Sequence, residues 1–410
     1  MSSSTNSSPN RWVIAIAAFL VQLALGAVYA WSVFLTPVMK LFNASKGDAT
    51  TTFTLTLVAL SIAAGFGGYF QNRFGPRVVA TVGGLLYGIG IILAGFAPSL
   101  FVLYLTYGII SGIGIGLGYI VPLAMLIKWF PDRRGFITGL AVAGFGLGAL
   151  ITSPVAAALI QANGVQTTFI MLGIVYLIVV VVAAQFFRRA PEGYAPAGWQ
   201  PSVQQQLVRS SRDYTLSESL GTVRWYILWL ILALNVTAGA ALIAVASPMA
   251  VELTGVSTVT AALLVSTNSA FNGVGRLFWG WVSDAIGRPT TFLIMFALQC
   301  VVFLLIPFVG SFGLLIFVSG IILLCYGGGF GTMPAFAADF FGPKNSGVIY
   351  GTMLTAWGAG AILGPQLIAR VPTKTALFII SGIMLVSMVL PLITMVLTRR
   401  RTIETKAVAP

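Results

Sequence analysis

Histidine is absent from the 410 residues, and aspartate and glutamate together number only nine. Without imidazole the chain lacks the side chain that most often acts as general base, metal ligand or proton relay near neutral pH. The two cysteines, Cys300 and Cys325, fall inside apolar stretches and show no metal-ligand spacing, which sets aside zinc and disulfide readings. No metal, no cofactor and no enzymatic activity are expected from this inventory. Charge is scarce altogether, at 8% of residues, whereas an ordinary soluble domain carries about 25%.

Apolar residues make up the difference, at 58%. A helix crossing a bilayer needs about 20 consecutive apolar residues, and such runs recur along the chain between short breaks rich in Arg, Lys, Gly and Pro. The reading is an all-α integral membrane protein with twelve transmembrane helices. They are placed near 11–37, 50–71, 78–97, 100–127, 136–162 and 166–187, then 223–250, 257–282, 289–310, 312–338, 347–370 and 374–398. Residues 1–187 form an N-terminal six-helix bundle, 188–222 a Pro- and Gln-containing cytoplasmic linker, and 223–410 a C-terminal six-helix bundle with a short tail. The apolar run after the polar stretch Met1–Asn10 is too long for a signal-peptide core and reads as an uncleaved first helix.

The formal charge of +13 does not point to nucleic acid, because the cations are scattered between the spans instead of gathered on one domain. With both termini in the cytoplasm, 17 Lys and Arg fall on that side and only Lys40, Lys46, Arg370 and Lys374 on the other, which fixes an orientation across a plasma (inner) membrane. The halves also match at an offset of 212 residues: Gly68, Gly75, Pro122, Gly135, Gly139, Gly146 and Gly148 recur as Gly280, Gly287, Pro334, Gly347, Gly351, Gly358 and Gly360. Parallel six-helix repeats are the mark of transporters whose halves rock about a central site.

One cation fits neither side. Arg276 lies inside the eighth span, in a stretch from Val256 to Val282 that is otherwise uncharged. An intramembrane arginine is costly and usually faces a cavity with a functional partner, although a side chain two turns from the helix end also has the length to snorkel to the headgroups. Asn268 and Asn272 precede it at steps of four, so the three share one polar stripe. Such a stripe either joins helices or suits a carboxylate, which takes bidentate charge-assisted bonds from a guanidinium with amide donors beside it. No acid lies in the heart of any span, so an anionic substrate is the natural counter-ion for Arg276.

Two segments resemble the loop motif of the major facilitator superfamily. One holds Gly68, Asn72, Arg73, Gly75 and Arg77; the other holds Gly280, Asp284, Gly287 and Arg288. Asn72 stands at the motif's usual aspartate, which weakens charge pairing there. The resemblance implies a gating role for Arg73, Arg77, Asp284 and Arg288, and for Asp132 and Arg133 in the loop after the fourth helix. A closer resemblance, over nearly the whole chain, is to the oxalate:formate antiporter family and the related monocarboxylate transporters. Gly26, Tyr29 and Trp31 carry it, with Tyr119, the run Lys128 to Gly135, the run Asn268 to Arg276, and Tyr326 with Phe330.

This second resemblance puts Arg276 at the family's anion-binding position and implies that Tyr29, Tyr119, Tyr326, Phe330 and Trp357 line the cavity; Trp31 is read as facing lipid or the interface. The oxalate carriers resemble this chain except for a second intramembrane cation, a lysine where Trp357 stands here. One cation suits one carboxylate, which favours a monocarboxylate of the lactate or pyruvate kind. Animal monocarboxylate transporters have an aspartate where Asn272 stands and a lysine in the first helix. Both are absent here, so proton coupling is left to a peripheral acid such as Glu252 or to the substrate. Proton-linked symport, carboxylate exchange and a non-transporting sensor remain open at this level, as does the oligomeric state.

Overall fold

The computed structural model describes residues 10–191, 194, 196, 213–342 and 345–396, and no strand occurs among them. Ten helices are long and apolar enough to cross a membrane: α1 (Arg11–Phe42), α2 (Lys46–Phe74), α3 (Pro76–Ala94), α4 (Leu100–Trp129), a long bent helix (Gly139–Ala184), α7 (Val223–Thr254), α9 (Arg288–Phe308), α10 (Phe312–Phe341), α11 (Ser346–Arg370) and α12 (Thr373–Val396). The bent helix is two passes. Gly164 adopts φ 78° and ψ 168°, which reverses the chain between α5 (139–163) and α6 (165–184). The twelfth pass is α8 (Thr258–Ile286), 29 residues long. It falls outside the apolar set because it carries Asn268, Asn272 and Arg276.

The repeat extends to the helix ends. Adding 212 to the ends of α1, α2 and α4 gives those of α7, α8 and α10, and the members of each pair share lengths of 32, 29 and 30 residues. Local chemistry explains the matching ends. Asn43 and Gly255 take left-handed backbone at the ends of α1 and α7. Ser45 and Ser257 then cap α2 and α8 by accepting from the amides of Asp48 and Thr260. Gly75 and Gly287, at φ 88° and 86°, turn the chain into α3 and α9, each with proline in its first turn.

Burial is inverted relative to a soluble protein. Large apolar side chains such as Phe66, Ile178, Phe317 and Val386 stand exposed around the outside, while alanines and glycines mediate helix contacts within. The halves meet mainly along two pairs related by the repeat, α2 against α11 and α5 against α8, and the repeat mates α1 and α7 also pack against each other. These contacts lie in the middle of the bundle and toward the far end, opposite the start of α1. Gln366 Nε2 donates to Thr51 and Thr54 Oγ1 at 3.2 and 3.0 Å, and Ser269 Oγ donates to the Gly146 carbonyl at 2.6 Å. Toward the near end, Gly68, Gly347 and Gly351 have nothing within reach of an added Cβ.

The expected spans agree with these helices to within a few residues, with three adjustments. Helix α2 starts at Lys46, four residues before the expected span, and Glu252 lies in the last turn of α7 instead of after it. Trp31 is fully buried against Tyr107 and does not face lipid, because α1 is buried along most of its length between its neighbours. Most of the expected linker, with Arg209 and Arg212, lies outside the described residues, as do Lys344 and the tail cations Arg399, Arg400, Arg401 and Lys406.

Candidate functional site

Arg276 is the one Lys, Arg, Asp or Glu that is fully buried among the described residues, at 2% exposure. It does not snorkel. Helix α8 brings it to the centre because α10 opposite is built of glycine: a Cβ on Gly327 or Gly331 would run into the carbonyl oxygens of Asn272 and Arg276. On the other side Gly273 meets Gly146 of α5 backbone to backbone, 2.8 Å from where a Cβ would sit. The polar stripe of α8 is thereby held in the seam between the halves.

The guanidinium has one hydrogen bond, from Nε to Asn272 Oδ1 at 3.4 Å. Both Nη atoms are buried and without a partner among the described residues. Leaving such donors unmet is unfavourable, since a charged group taken from water requires compensating bonds. Two aromatic faces offset part of that cost. The guanidinium carbon lies 5.0 Å from the centre of the Phe330 ring and 5.7 Å from that of Phe145. The amide nitrogens of Asn268 and Asn272 are likewise buried and unpartnered, while Asn268 Oδ1 accepts from Ser319 at 2.9 Å. Unmet donors along one stripe of α8, with no acid among them, suit an anion at the guanidinium end.

Aromatic rings enclose this cluster. Trp357 packs against Phe330 at 4.6 Å between centroids, Tyr119 at 5.4 Å and Phe145 at 5.6 Å. Tyr29 and Tyr326, from opposite halves, share a hydrogen bond of 2.9 Å between their hydroxyls. The Tyr119 hydroxyl lies beside both Arg276 and Tyr350. All five aromatics expected at the cavity are therefore gathered with Arg276, Asn272 and Asn268. Phe145 and Tyr350 were missed by the sequence reading. A signal for Phe145 existed: it stands 212 residues before Trp357, so the two rings are repeat mates that meet across the seam. Beside the stripe, a cavity of about 10 Å³ lined by Tyr29, Asn268, Ser269 and Asn272 has room for about one water. The site is closed around its cation.

The expected gating residues sit at the near end. Asp132 receives two bonds from Arg11, at 2.6 and 3.1 Å, with Arg133 at 3.7 Å; the Arg11 guanidinium holds its carboxyl below the usual range. Arg288 bridges Asp284 at 2.5 Å and Asp339 at 3.3 Å. Arg77 donates to Gln185 at 2.8 Å, and Arg73 lies over Phe74. Each of these contacts lies within one half. Arg11 and Asp339 are partners that sequence reading missed, because helices distant in the chain bring them in. Glu252 is exposed at the far end and accepts from Thr373 at 2.9 Å, remote from Arg276 in the chain and in depth.

The family model for the Major Facilitator Superfamily matches residues 14–239 and 228–410. The chain is 31% identical over 374 residues to the oxalate:formate antiporter of Oxalobacter formigenes, covering 90% of this chain and 87% of that protein. It is 28% identical to apicoplast pyruvate carrier 1 of Toxoplasma gondii, over 83% of this chain and 80% of the relative. To monocarboxylate transporter 12 of Xenopus laevis it is 25% identical, over 90% and 85%. Among solved structures, a bacterial homologue of the human lysosomal transporter Spinster, in an inward-facing and occupied conformation, superposes with a TM-score of 0.71 over 95% of this chain and 97% of that one. At 14% identity that match speaks to fold alone.

Proposed function

Because the chain belongs to the Major Facilitator Superfamily and is an integral membrane protein, we propose that it carries a small monocarboxylate, of the lactate or pyruvate kind, by alternating access. The observation that carries this reading is Arg276, buried with both Nη groups unpartnered and no carboxylate near it. A bound carboxylate supplies two acceptors to those donors, and the amides of Asn272 and Asn268 offer further ones. Tyr29, Tyr119, Tyr326, Phe330 and Trp357 then enclose the rest of a small substrate. A second carboxylate would meet Trp357 in place of a cation and remain unpaired, at a cost of several kcal/mol. Oxalate is therefore disfavoured.

Net uptake is driven by protons in this reading, with both termini cytoplasmic in a plasma membrane, so that the far end faces outward. The near-end groups Arg73, Arg77, Asp132, Arg133, Asp284 and Arg288 brace the loops of each half while the halves rock. Glu252 is the candidate peripheral proton acceptor. Exchange of one carboxylate for another is the second reading, favoured by the similarity to an antiporter and by the lack of a titratable acid beside Arg276. The deciding experiment is uptake of labelled lactate into proteoliposomes holding no internal anion, under an inward proton gradient. Uptake that collapses in Arg276→Ala supports symport at this site. Uptake that begins only after oxalate or formate is loaded inside turns the assignment to exchange, and oxalate moving faster than lactate sinks the monocarboxylate reading.

A further inference from the structure

Four cations stand at the far end, where the rule that retains Lys and Arg in the cytoplasm gives no reason for them. Two of them, Lys46 and Arg370, stand on the seam between the halves, and Lys374 follows Thr373, whose hydroxyl binds the Glu252 that acts on Lys46. Arg370, at the end of α11, lies across Gly47 of α2, with its Cγ 2.9 Å from where a Cβ on that glycine would sit. Lys46 precedes that glycine as the first residue of α2, and Lys374 is the second residue of α12. The acids facing them are Glu252, which acts on Lys46 across the seam and accepts from Thr373, and Asp48, which accepts from Ser45 within its own cap. Among the described residues none of the far-end cations makes an ion pair within 4.0 Å. The helix dipole favours a cation in the last turn of α11 and so explains a charge at Arg370. It does not explain what that charge holds.

Arg370 Nε donates to Gln366 Oε1 at 2.8 Å, and the amide nitrogen of Gln366 in turn donates across the seam to Thr51 and Thr54. The guanidinium thus orients a neutral clasp between the halves while retaining a full positive charge. We propose that Arg370, Lys46 and Lys374 form an outer receiving site for the substrate carboxylate, at which Arg370 exchanges Gln366 for the incoming anion and so frees the clasp. The site rests on the carboxylate reading above. It places anion recognition at the seam that must part before Arg276 is reached from outside, and it concentrates a dilute anion there by charge.

The test is side-specific. Lactate transport is measured with the full chain in cells, from outside, and in inside-out vesicles, from the cytoplasmic side, at low and high ionic strength. Arg370→Gln and Lys374→Gln are each expected to raise the outside KM about three- to tenfold and to flatten its salt dependence, with the cytoplasmic-side KM unchanged. Arg370→Lys retains the charge and most of the outside affinity. A merely mechanical clasp gives the opposite sign, since loosening it favours the outward-open form and lowers the outside KM. That result, an unchanged KM, or an equal rise on both sides overturns the receiving site while leaving the carboxylate reading intact. Failure of the wild type to move any carboxylate overturns both.

Discussion

Helices α2 and α8 are the same element written twice, with equal length, the same serine cap and the same glycine turn at the end. Their central faces differ completely. Where α8 carries Asn268, Asn272 and Arg276, the positions 212 residues earlier are Thr56, Leu60 and Ala64. The N-terminal half answers with rings, Tyr29, Tyr119 and Phe145, that close over the charge from the other side. Duplication thus supplies two matching frames, and divergence at one stripe supplies the chemistry. One half holds the charge; the other supplies much of the lid.

The sharpest way to break that asymmetry is Arg276→Met. Losing the charge-assisted bonds to a carboxylate is expected to weaken substrate binding by about 3 kcal/mol or more, over 100-fold, read by uptake and by binding to purified protein. The same change removes a buried unpartnered cation, so thermal unfolding in detergent shifts upward, by about 1 kcal/mol or more of stability. Opposite signs for transport and stability distinguish a binding charge from a structural one. Placing the charge on the other frame, as Ala64→Arg with Arg276→Met, restores nothing if the stripe is what matters.

Two further changes sharpen the comparison at lower cost to the molecule. Trp357→Lys puts a second cation at the repeat mate of Phe145 and is expected to improve oxalate over lactate about tenfold, measured as the ratio of their exchange rates. Asn272→Leu removes an amide donor and the acceptor of Arg276 Nε, and is expected to cost about 1–3 kcal/mol of substrate affinity.

The smallest effect lies at the near end. Asp132 has a folded pKa depressed by Arg11, so its contribution is present above the ordinary carboxylate range and is lost as pH falls through the depressed value. Asp132→Asn is therefore less stable than wild type at pH 7 by about 1 kcal/mol, and the gap closes below about pH 4. A gap that widens in acid would contradict the Arg11 pairing.

Much of this frame was legible in the residues. Long apolar runs, a repeated register of glycines and prolines, and one arginine out of place in a span led to the helices and to Arg276, because lipid tolerates few alternatives. What stayed hidden depends on helices distant in the chain. Phe145 looked like one more apolar residue in a glycine-rich helix, and only the fold puts it over the guanidinium. Trp31 read as interfacial because nothing local says that α1 is surrounded. Arg11 and Asp132 lie 121 residues apart and meet through the packing of α1 with α4 and α5.

The unpartnered guanidinium of Arg276 has a kinetic consequence on the carboxylate reading. A loaded carrier is locally neutral, whereas an empty one must enclose a bare cation each time it turns around. The empty return is then the slow half of the cycle, and the step on which membrane voltage acts, at up to about 2.3 kcal/mol per charge for each 100 mV. Carboxylate waiting on the opposite side relieves that step. Such a protein runs faster when both faces are supplied than when one is empty, whatever couples it to protons.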